Sequence, residues 1–243
     1  MTKFIIKLAN TNIEVNALYE STMQFCQEYI CNDQPDFSVK VSPADISLER
    51  EKSAREDALE GIPTRHFPDE YLETLAVYRK IAEQLLQYDT LLFHGSVVAV
   101  DGEGYLFTAK SGTGKSTHTS FWRQEFGPRA FMVNDDKPLL QIKGGKIWAF
   151  GTPWDGKHRL STNTCVPLKG ICILERGTEN HIEAISPRQA LPMLLQQSYR
   201  SPNPNSAVQL LSILDRLTDA VSFYLLHCNL DPSAARVAYE GMK

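Results

Sequence analysis

The stretch Ala109-Lys110-Ser111-Gly112-Thr113-Gly114-Lys115-Ser116 decides the fold class of this chain of 243 residues. Apart from its first residue, it matches the phosphate-binding pattern GxxxxGK[ST], in which a glycine loop joins a strand to a helix. Glycines allow backbone N–H groups to approach phosphate oxygens closely, and the following helix presents unpaired N–H groups and the positive end of its dipole. The pattern predicts a loop that binds the phosphates of a nucleoside triphosphate.

Individual roles follow from the side chains of this loop. Lys115 supplies a mobile cation for the terminal phosphates, and the Ser116 hydroxyl is placed to bind Mg²⁺. Ala109 replaces the first glycine of the pattern, so a glycine-rich turn with an incidental lysine is the alternative. We expect phosphate contacts from Ser111, Gly112, Thr113, Gly114, Lys115, Ser116 and Thr117.

Hydrophobic patterning predicts the elements around the loop. The run 91–100 is largely apolar and predicts one strand, which a turn at 101–104 joins to a returning strand at 105–108. A helix is expected from residue 116 to residue 124, and a short buried strand covers 130–133. The loop therefore has the strand–loop–helix context that phosphate binding requires.

Two adjacent aspartates, Asp135 and Asp136, follow that buried strand about twenty residues after Lys115. In a phosphoryl-transfer site one carboxylate holds the metal ion, and a second accepts the proton of an attacking hydroxyl. Two carboxylates so close raise the pKa of one of them unless Mg²⁺ offsets the repulsion. Turn formation at the strand end is the structural alternative for this pair.

The order of these motifs resembles the HPr kinase/phosphorylase family. That family shares a class of P-loop kinase fold with the ATP-dependent phosphoenolpyruvate carboxykinases. The likeness covers roughly residues 90 to 175 and rests on Phe93-His94-Gly95, Asp101-Gly102-Glu103-Gly104, the loop 109–116 and Asn134-Asp135-Asp136. It implies an α/β fold with a mixed central sheet flanked by helices, and the use of ATP and Mg²⁺.

The resemblance also implies a role for each matching residue. Asp135 would be the carboxylate that deprotonates the acceptor hydroxyl, and His94 would position or tune that aspartate. Asp136 and Ser116 would lie on the side of the metal ion. Taken alone, a histidine such as His94 in an apolar strand is more often a buried residue with a satisfied hydrogen bond.

The acceptor is not implied, because the chain lacks the longer C-terminal signature with which HPr kinases contact their protein substrate. Residues 151–159 and 162–169 instead resemble a divergent group of short HPr-kinase-like proteins, which often accompany ribosomal-peptide modification systems. A serine of a protein or peptide, or a small hydroxylated molecule, is the expected acceptor. HPr itself is not implied.

A basic loop follows these motifs, with Trp154, Lys157, His158 and Arg159 in sequence. Arg159 is the candidate for bidentate contact with the transferring phosphoryl group. Lys157 and His158 are candidate contacts for an anionic acceptor, and Trp154 could stack on the base or line the acceptor pocket. A solvated basic loop that Trp154 anchors to the core is the alternative.

The chain divides near residue 88 into a small N-terminal region of strands and helices, 1–88, and a catalytic domain, 89–243. Phe4 to Leu8 and residues 36–42 predict two strands, and a helix opens at Pro68-Asp69-Glu70. The charged stretch 44–60 is compatible with strand, helix or loop.

Composition limits the remaining function classes. The net charge is -4, from 25 basic and 29 acidic residues, so there is no global bias toward nucleic acid or anionic membranes. Five scattered cysteines argue against a disulfide framework or zinc site, and neither a signal peptide nor an apolar run of ~20 residues is visible. We expect a cytoplasmic protein, and the family resemblance allows a homo-oligomer.

These observations lead to a first hypothesis and two alternatives. The first is a Mg²⁺- and ATP-dependent kinase with Asp135 as its base. The second is a nucleotide-binding regulatory module without transfer chemistry. A carboxykinase acting on a small keto acid ranks third, because the extra metal and carboxylate ligands of those longer enzymes have no counterpart here. The choice among ATP, GTP and pyrophosphate stays open.

Overall fold

The computed structural model describes residues 1–156 and 158–243, which fall into two units, Met1–Gln84 and Leu85–Lys243. The first unit contains a three-stranded sheet and three α-helices. Strands β1 and β2 form an antiparallel hairpin, and β3 lies parallel to β2. The elements are β1 (Thr2–Leu8), β2 (Thr11–Ala17), α1 (Glu20–Phe25), β3 (Phe37–Lys40), α2 (Pro43–Glu60) and α3 (Asp69–Leu85).

The charged stretch 44–60, which the sequence left undecided, is the helix α2. It begins with a capping box, in which Ser42 and Asp45 satisfy each other's backbone and side-chain groups, and Pro43 occupies a first-turn position. It ends at Gly61, whose φ of 69° is the left-handed conformation that glycine adopts readily. Local capping signals therefore decide this helix, because its apolar face is weak.

The second unit is built on a nine-stranded sheet. Seven of its strands follow the order β4-β8-β9-β10-β6-β5-β7, β12 pairs with β10, and β11 pairs with β12. Strand β10 runs parallel to both β6 and β12, whereas β9 is antiparallel to it, so the sheet is mixed. The strands are β4 (Thr90–Leu92), β5 (Ser96–Val100), β6 (Glu103–Thr108), β7 (Ala130–Asn134), β8 (Leu139–Lys143), β9 (Lys146–Phe150), β10 (Cys165–Arg176), β11 (His181–Ile185) and β12 (Ser222–Cys228).

Helices cover both faces of this sheet. On β5, Val97 and Ala99 belong to one apolar cluster, whereas Val98 and Val100 belong to another, as alternation along a strand requires. The first cluster contains residues of α5 and α6, and the second contains residues of α4 and α7. The helices are α4 (Lys115–Phe126), α5 (Pro187–Gln197), α6 (Pro204–Ala220) and α7 (Ser233–Met242). The predicted α/β class, with a mixed central sheet flanked by helices, is confirmed.

The single strand predicted over 91–100 is wrong. Strand β4 ends at Leu92 and pairs with β8, whereas β5 begins at Ser96 and lies between β6 and β7. The chain turns at residues 93–95 because their backbone groups bond outside the ladder. His94 N–H donates to the Gln197 carbonyl at 2.7 Å, and Gly95 N–H donates to the Asp136 carbonyl at 3.0 Å.

Within the described parts of the chain, every helix is too short or too polar to cross a membrane.

His118 and Trp122 form a buried pair on α4. Both side chains are almost fully buried, and the Trp122 indole N–H donates to Nε2 of His118 at 3.0 Å. Burial lowers the pKa of His118 from 6.5 to about 3, so the imidazole is neutral in the folded protein at ordinary pH.

We predict that this histidine makes the protein less stable as the pH falls. Below about pH 6.5 the unfolded chain binds a proton at His118 that the folded chain does not, which costs about 1.4 kcal/mol of unfolding free energy per pH unit. Urea unfolding at about pH 7.5 and about pH 5.5 measures how much free energy of unfolding is lost as the pH falls. The loss should be smaller for His118→Gln than for the wild-type protein, and the carboxamide oxygen of this variant can still accept from Trp122. Equal losses in the two proteins would contradict a neutral His118.

Candidate active site

Four strand ends of the second unit meet at one edge of the sheet. Ser96 at the start of β5 pairs with Phe107 near the end of β6, and Val97 pairs with Asn134 at the end of β7. Strand β10 runs parallel to β6, with Ile173 opposite Thr108, so β10 ends at the same edge. This register brings together the loops that carry the predicted phosphate, aspartate and histidine residues.

The predicted phosphate loop, residues 109–116, leaves β6 and enters α4 through two glycines with positive φ. Gly112 has φ 74° and Gly114, the N-cap of the helix, has φ 118°. A side chain at either position would strain the backbone, although there is open space around both. Ala109 is fully buried in the apolar cluster below the loop and does not have a positive φ. The backbone at Ala109 therefore does not require the glycine that the pattern has at this position.

Lys115 folds back over the start of the loop. Its Nζ lies 3.5 Å from the carbonyl oxygen of Ala109. Burial lowers the pKa of Lys115, and the nearby negative charge of Asp136 acts in the opposite direction. Ser111, Gly112, Ser116 and Thr117 are exposed along the same loop and first helical turn, whereas Thr113 is partly exposed and donates to the Lys110 carbonyl at 2.9 Å.

Asn134 organises the loop that carries the two aspartates. Its side chain is fully buried, and Oδ1 accepts from the backbone N–H groups of Asp136 at 2.9 Å and Lys137 at 2.6 Å. Its Nδ2 lies 3.1 Å from Oγ1 of Thr152 and 3.2 Å from Oγ of Ser161. The Asn134 side-chain amide thereby fixes the turn after β7 and joins it to Thr152 and Ser161.

The Asp135 carboxylate is buried beneath Gly156. Asp135 is 5% exposed, and its Oδ1 accepts from the Gly156 N–H at 2.6 Å. A Cβ atom at Gly156 would lie 2.8 Å from Oδ2 of Asp135, so only glycine lets the loop approach this closely. The Asp135 carbonyl accepts from the Ser96 hydroxyl at 2.9 Å, which ties the residue to the start of β5.

His94 contacts Asp136 and not Asp135. Its Nε2 lies 3.3 Å from Oδ1 of Asp136, and Nζ of Lys137 lies 3.6 Å from Oδ2. Burial acts to raise the pKa of Asp136, but the hydrogen bond from His94 and the charges of Lys137 and Lys115 lower it below its usual value. This geometry corrects the expectation that His94 positions Asp135.

Trp154 belongs to the interior. Its side chain is 3% exposed, which corrects the expectation that it stacks on a base and agrees with an anchor for the basic loop. Asp155 beside it has a raised pKa, because of burial and the neighbouring charge of Asp135. His158 and Arg159 are exposed, and Arg159 has a positive φ of 48°. Lys157, a predicted acceptor contact, lies outside the described residues.

Gln197, at the end of α5, is a site residue that the sequence did not single out. Its carbonyl accepts from His94 N–H at 2.7 Å, and its Nε2 donates to the Ala109 carbonyl at 3.3 Å. It therefore links the histidine turn to the phosphate loop. Nothing in the local sequence marks it, because both partners are distant in the chain.

The possible metal ligands of this site suit a Mg²⁺ ion that binds together with a nucleotide. Within residues 1–156 and 158–243, no group of three or more His, Cys, Asp or Glu side chains is placed to hold a metal ion by itself. Mg²⁺ is commonly held by one or two carboxylates together with substrate phosphates and water. The Asp136 carboxylate and the exposed Ser116 hydroxyl fit that pattern.

Comparisons with known proteins find a matching family and similar solved structures. The family described as "SynChlorMet cassette protein ScmC" matches residues 67–230, about two thirds of the chain. A structure of the Hpr(Ser) kinase/phosphatase from Coxiella burnetii is similar at a TM-score of 0.36 and 11% sequence identity, over 61% of this chain and 94% of that chain. No curated protein matches.

We predict that Asn134→Ala destabilises the protein strongly. The substitution leaves the N–H groups of Asp136 and Lys137 without their acceptor, at a cost of at least about 2 kcal/mol. Gln124→Ala, which removes an exposed amide from α4, should change the unfolding free energy by less than about 0.5 kcal/mol. Urea unfolding of both variants measures the difference, and equal losses would contradict the organising role of Asn134.

Proposed function

This chain belongs to the ScmC family of SynChlorMet cassette proteins, and we propose that it is a Mg²⁺- and ATP-dependent kinase that phosphorylates a hydroxyl group. One observation carries the proposal. A phosphate-binding loop, its lysine and two aspartates converge at one sheet edge, where the charges of Lys115 and Asp136 act on each other.

The loop and the first turn of α4 bind the triphosphate in this proposal. Backbone N–H groups within residues 111–117 contact phosphate oxygens, and Lys115 moves from the Ala109 carbonyl to the terminal phosphates. Partial burial strengthens the attraction between Lys115 and an incoming phosphate, because the local dielectric is low. Ser116 and Asp136 would hold Mg²⁺, which would supply positive charge to offset that of the phosphate oxygens.

Asp135 is the base because its surroundings differ from those of Asp136. Asp136 is engaged by His94 and Lys137, and its lowered pKa makes it a poor proton acceptor. The buried Asp135 carboxylate instead accepts the Gly156 N–H on Oδ1. These surroundings support Asp135 as the proton acceptor and Asp136 as the group that stays ionised.

The transfer step follows from these roles. The acceptor oxygen forms a bond to the terminal phosphorus while its proton passes to Asp135, and the bond from that phosphorus to the bridging oxygen breaks. A nucleoside diphosphate and a phosphorylated acceptor result. Lys115 and the exposed Arg159 offset the charge that develops on the phosphoryl oxygens. His94 keeps Asp136 in place and ionised in this scheme.

The acceptor carries a hydroxyl, either as a serine of a protein or peptide or as a small molecule. The exposed His158 and Arg159 beside the Asp135 loop would contact an anionic part of such an acceptor. Because the family is described as part of the SynChlorMet cassette, peptides and proteins encoded beside this chain are the first acceptors to test.

Substitution of the proposed base should lower phosphate transfer without weakening ATP binding. Asp135→Asn is expected to lower transfer of labelled phosphate from ATP at least about 100-fold and to leave ATP affinity nearly unchanged. Lys115→Ala is expected to lower both. Asp219→Asn, an exposed aspartate on α6, is the control and should retain wild-type transfer.

Two outcomes contradict this proposal in different ways. Full transfer by Asp135→Asn would show that another group is the base. Tight binding of ATP by the wild-type protein, without transfer to any acceptor of the cassette, would favour a regulatory module instead.

A methyl group at Gly156 should disturb the base directly. Gly156→Ala places Cβ 2.8 Å from Oδ2 of Asp135, so the carboxylate or the loop must shift. We expect kcat to fall at least about tenfold because catalytic geometry tolerates little displacement, with an unchanged Kd for ATP. Gly145→Ala, in the β8–β9 turn, strains a positive φ of 70° in open space and controls for general destabilisation. Equal kcat values for the two variants would contradict the placement of the base.

A further inference from the structure

A cavity of about 560 Å³ lies beside the phosphate loop and has no role in the site described so far. Residues 112–114 of the loop form one side, and the ends of β10 and β12 form the other. Its volume falls within the range of about 300–1,000 Å³ that is typical of small-molecule sites. It is therefore large enough for a nucleoside.

The cavity and the phosphate loop form one continuous surface. Arg176, at the end of β10, lines the cavity, and its Nη2 donates to the Gly112 carbonyl at 2.7 Å. Thr117, His118 and Phe121 line the cavity from α4, the helix whose first turn would contact the phosphates. A ligand whose phosphates lie on this loop therefore has the cavity within reach of its remaining atoms.

The side chains of the cavity suit a flat, partly apolar ring. Phe121 from α4 and Leu230, just after β12, contribute apolar surface, and the aromatic face of Phe121 can stack on a base. We propose that this cavity holds the nucleoside of the phosphoryl donor, an inference that rests on the proposed function. The donor is then a nucleoside triphosphate and not an inorganic polyphosphate.

His118 supplies a further polar group in this wall. Its Nε2 accepts from Trp122, whose indole can only donate, so the proton of the neutral ring is on Nδ1. Nδ1 is covered and has no hydrogen-bond partner among the described residues. An unpaired buried N–H is unfavourable, and an acceptor atom on a base or ribose would remove that cost after a small adjustment of the wall.

The test compares two ligands that share a triphosphate. Titration calorimetry with Mg²⁺ measures the Kd of ATP and of inorganic tripolyphosphate for the full chain. We expect the wild-type protein to bind ATP at least about tenfold more tightly, as stacking of one base provides. Equal affinities would overturn the inference, and this comparison requires no variant.

Variants then locate the nucleoside. Phe121→Ala should weaken ATP binding about tenfold through the lost stacking contact and leave tripolyphosphate binding unchanged. Phe131→Ala removes a partly exposed phenylalanine of β7 that does not line the cavity, and should affect neither ligand. An unchanged Kd of ATP for Phe121→Ala, or equal weakening of both ligands, would overturn the inference.

Failure of the proposed function would give a different result from failure of the cavity inference alone. If the wild-type protein binds neither ATP nor tripolyphosphate, the phosphate loop itself does not work as proposed and the cavity inference falls with it. If both bind equally, the loop binds phosphates but the cavity does not hold a nucleoside.

Discussion

The position of β5 between β6 and β7 is the constraint on which the site depends. Antiparallel pairing on both sides of β5 brings its first residue beside the last residues of the other two strands. Hydrogen bonds between residues at this edge then hold the loops in place. The Ser96 hydroxyl donates to the Asp135 carbonyl, Gly95 N–H donates to the Asp136 carbonyl, and the Thr108 hydroxyl donates to the His94 carbonyl. A shift of this register by one residue would separate the phosphate loop from the aspartates.

Burial shifts the pKa values of charged groups at this edge. Desolvation lowers the pKa of Lys115 and acts to raise that of Asp136, and the two charges stabilise each other. His94 and Lys137 add to the stabilisation of Asp136, whereas Asp135 lies against the Gly156 N–H. Two adjacent aspartates thus occupy different environments, which is the usual way in which a protein gives neighbouring carboxylates different roles.

Local patterns in the sequence predicted much of this arrangement. The glycine loop, the start of α4 and the short strand before the aspartates all follow from spacing and turn residues that act over a few positions. The sequence did not reveal the break at residues 93–95, because distant carbonyls of Gln197 and Asp136 cause it within an apolar run. The partner of His94 was missed for the same reason, since that turn aims its ring at Asp136. The roles of Asn134 and Gly156 also depend on contacts across the fold.

A crystal structure of the full chain with Mg²⁺ and a non-hydrolysable ATP analogue is the most direct test of the central claim. The account predicts β- and γ-phosphates on the N–H groups of residues 111–117, with Nζ of Lys115 moved from the Ala109 carbonyl to the terminal phosphate. The γ-phosphate should face Asp135, with room between them for an acceptor hydroxyl. Phosphates bound elsewhere, or a γ-phosphate directed away from both aspartates, would contradict a phosphoryl-transfer site at this edge.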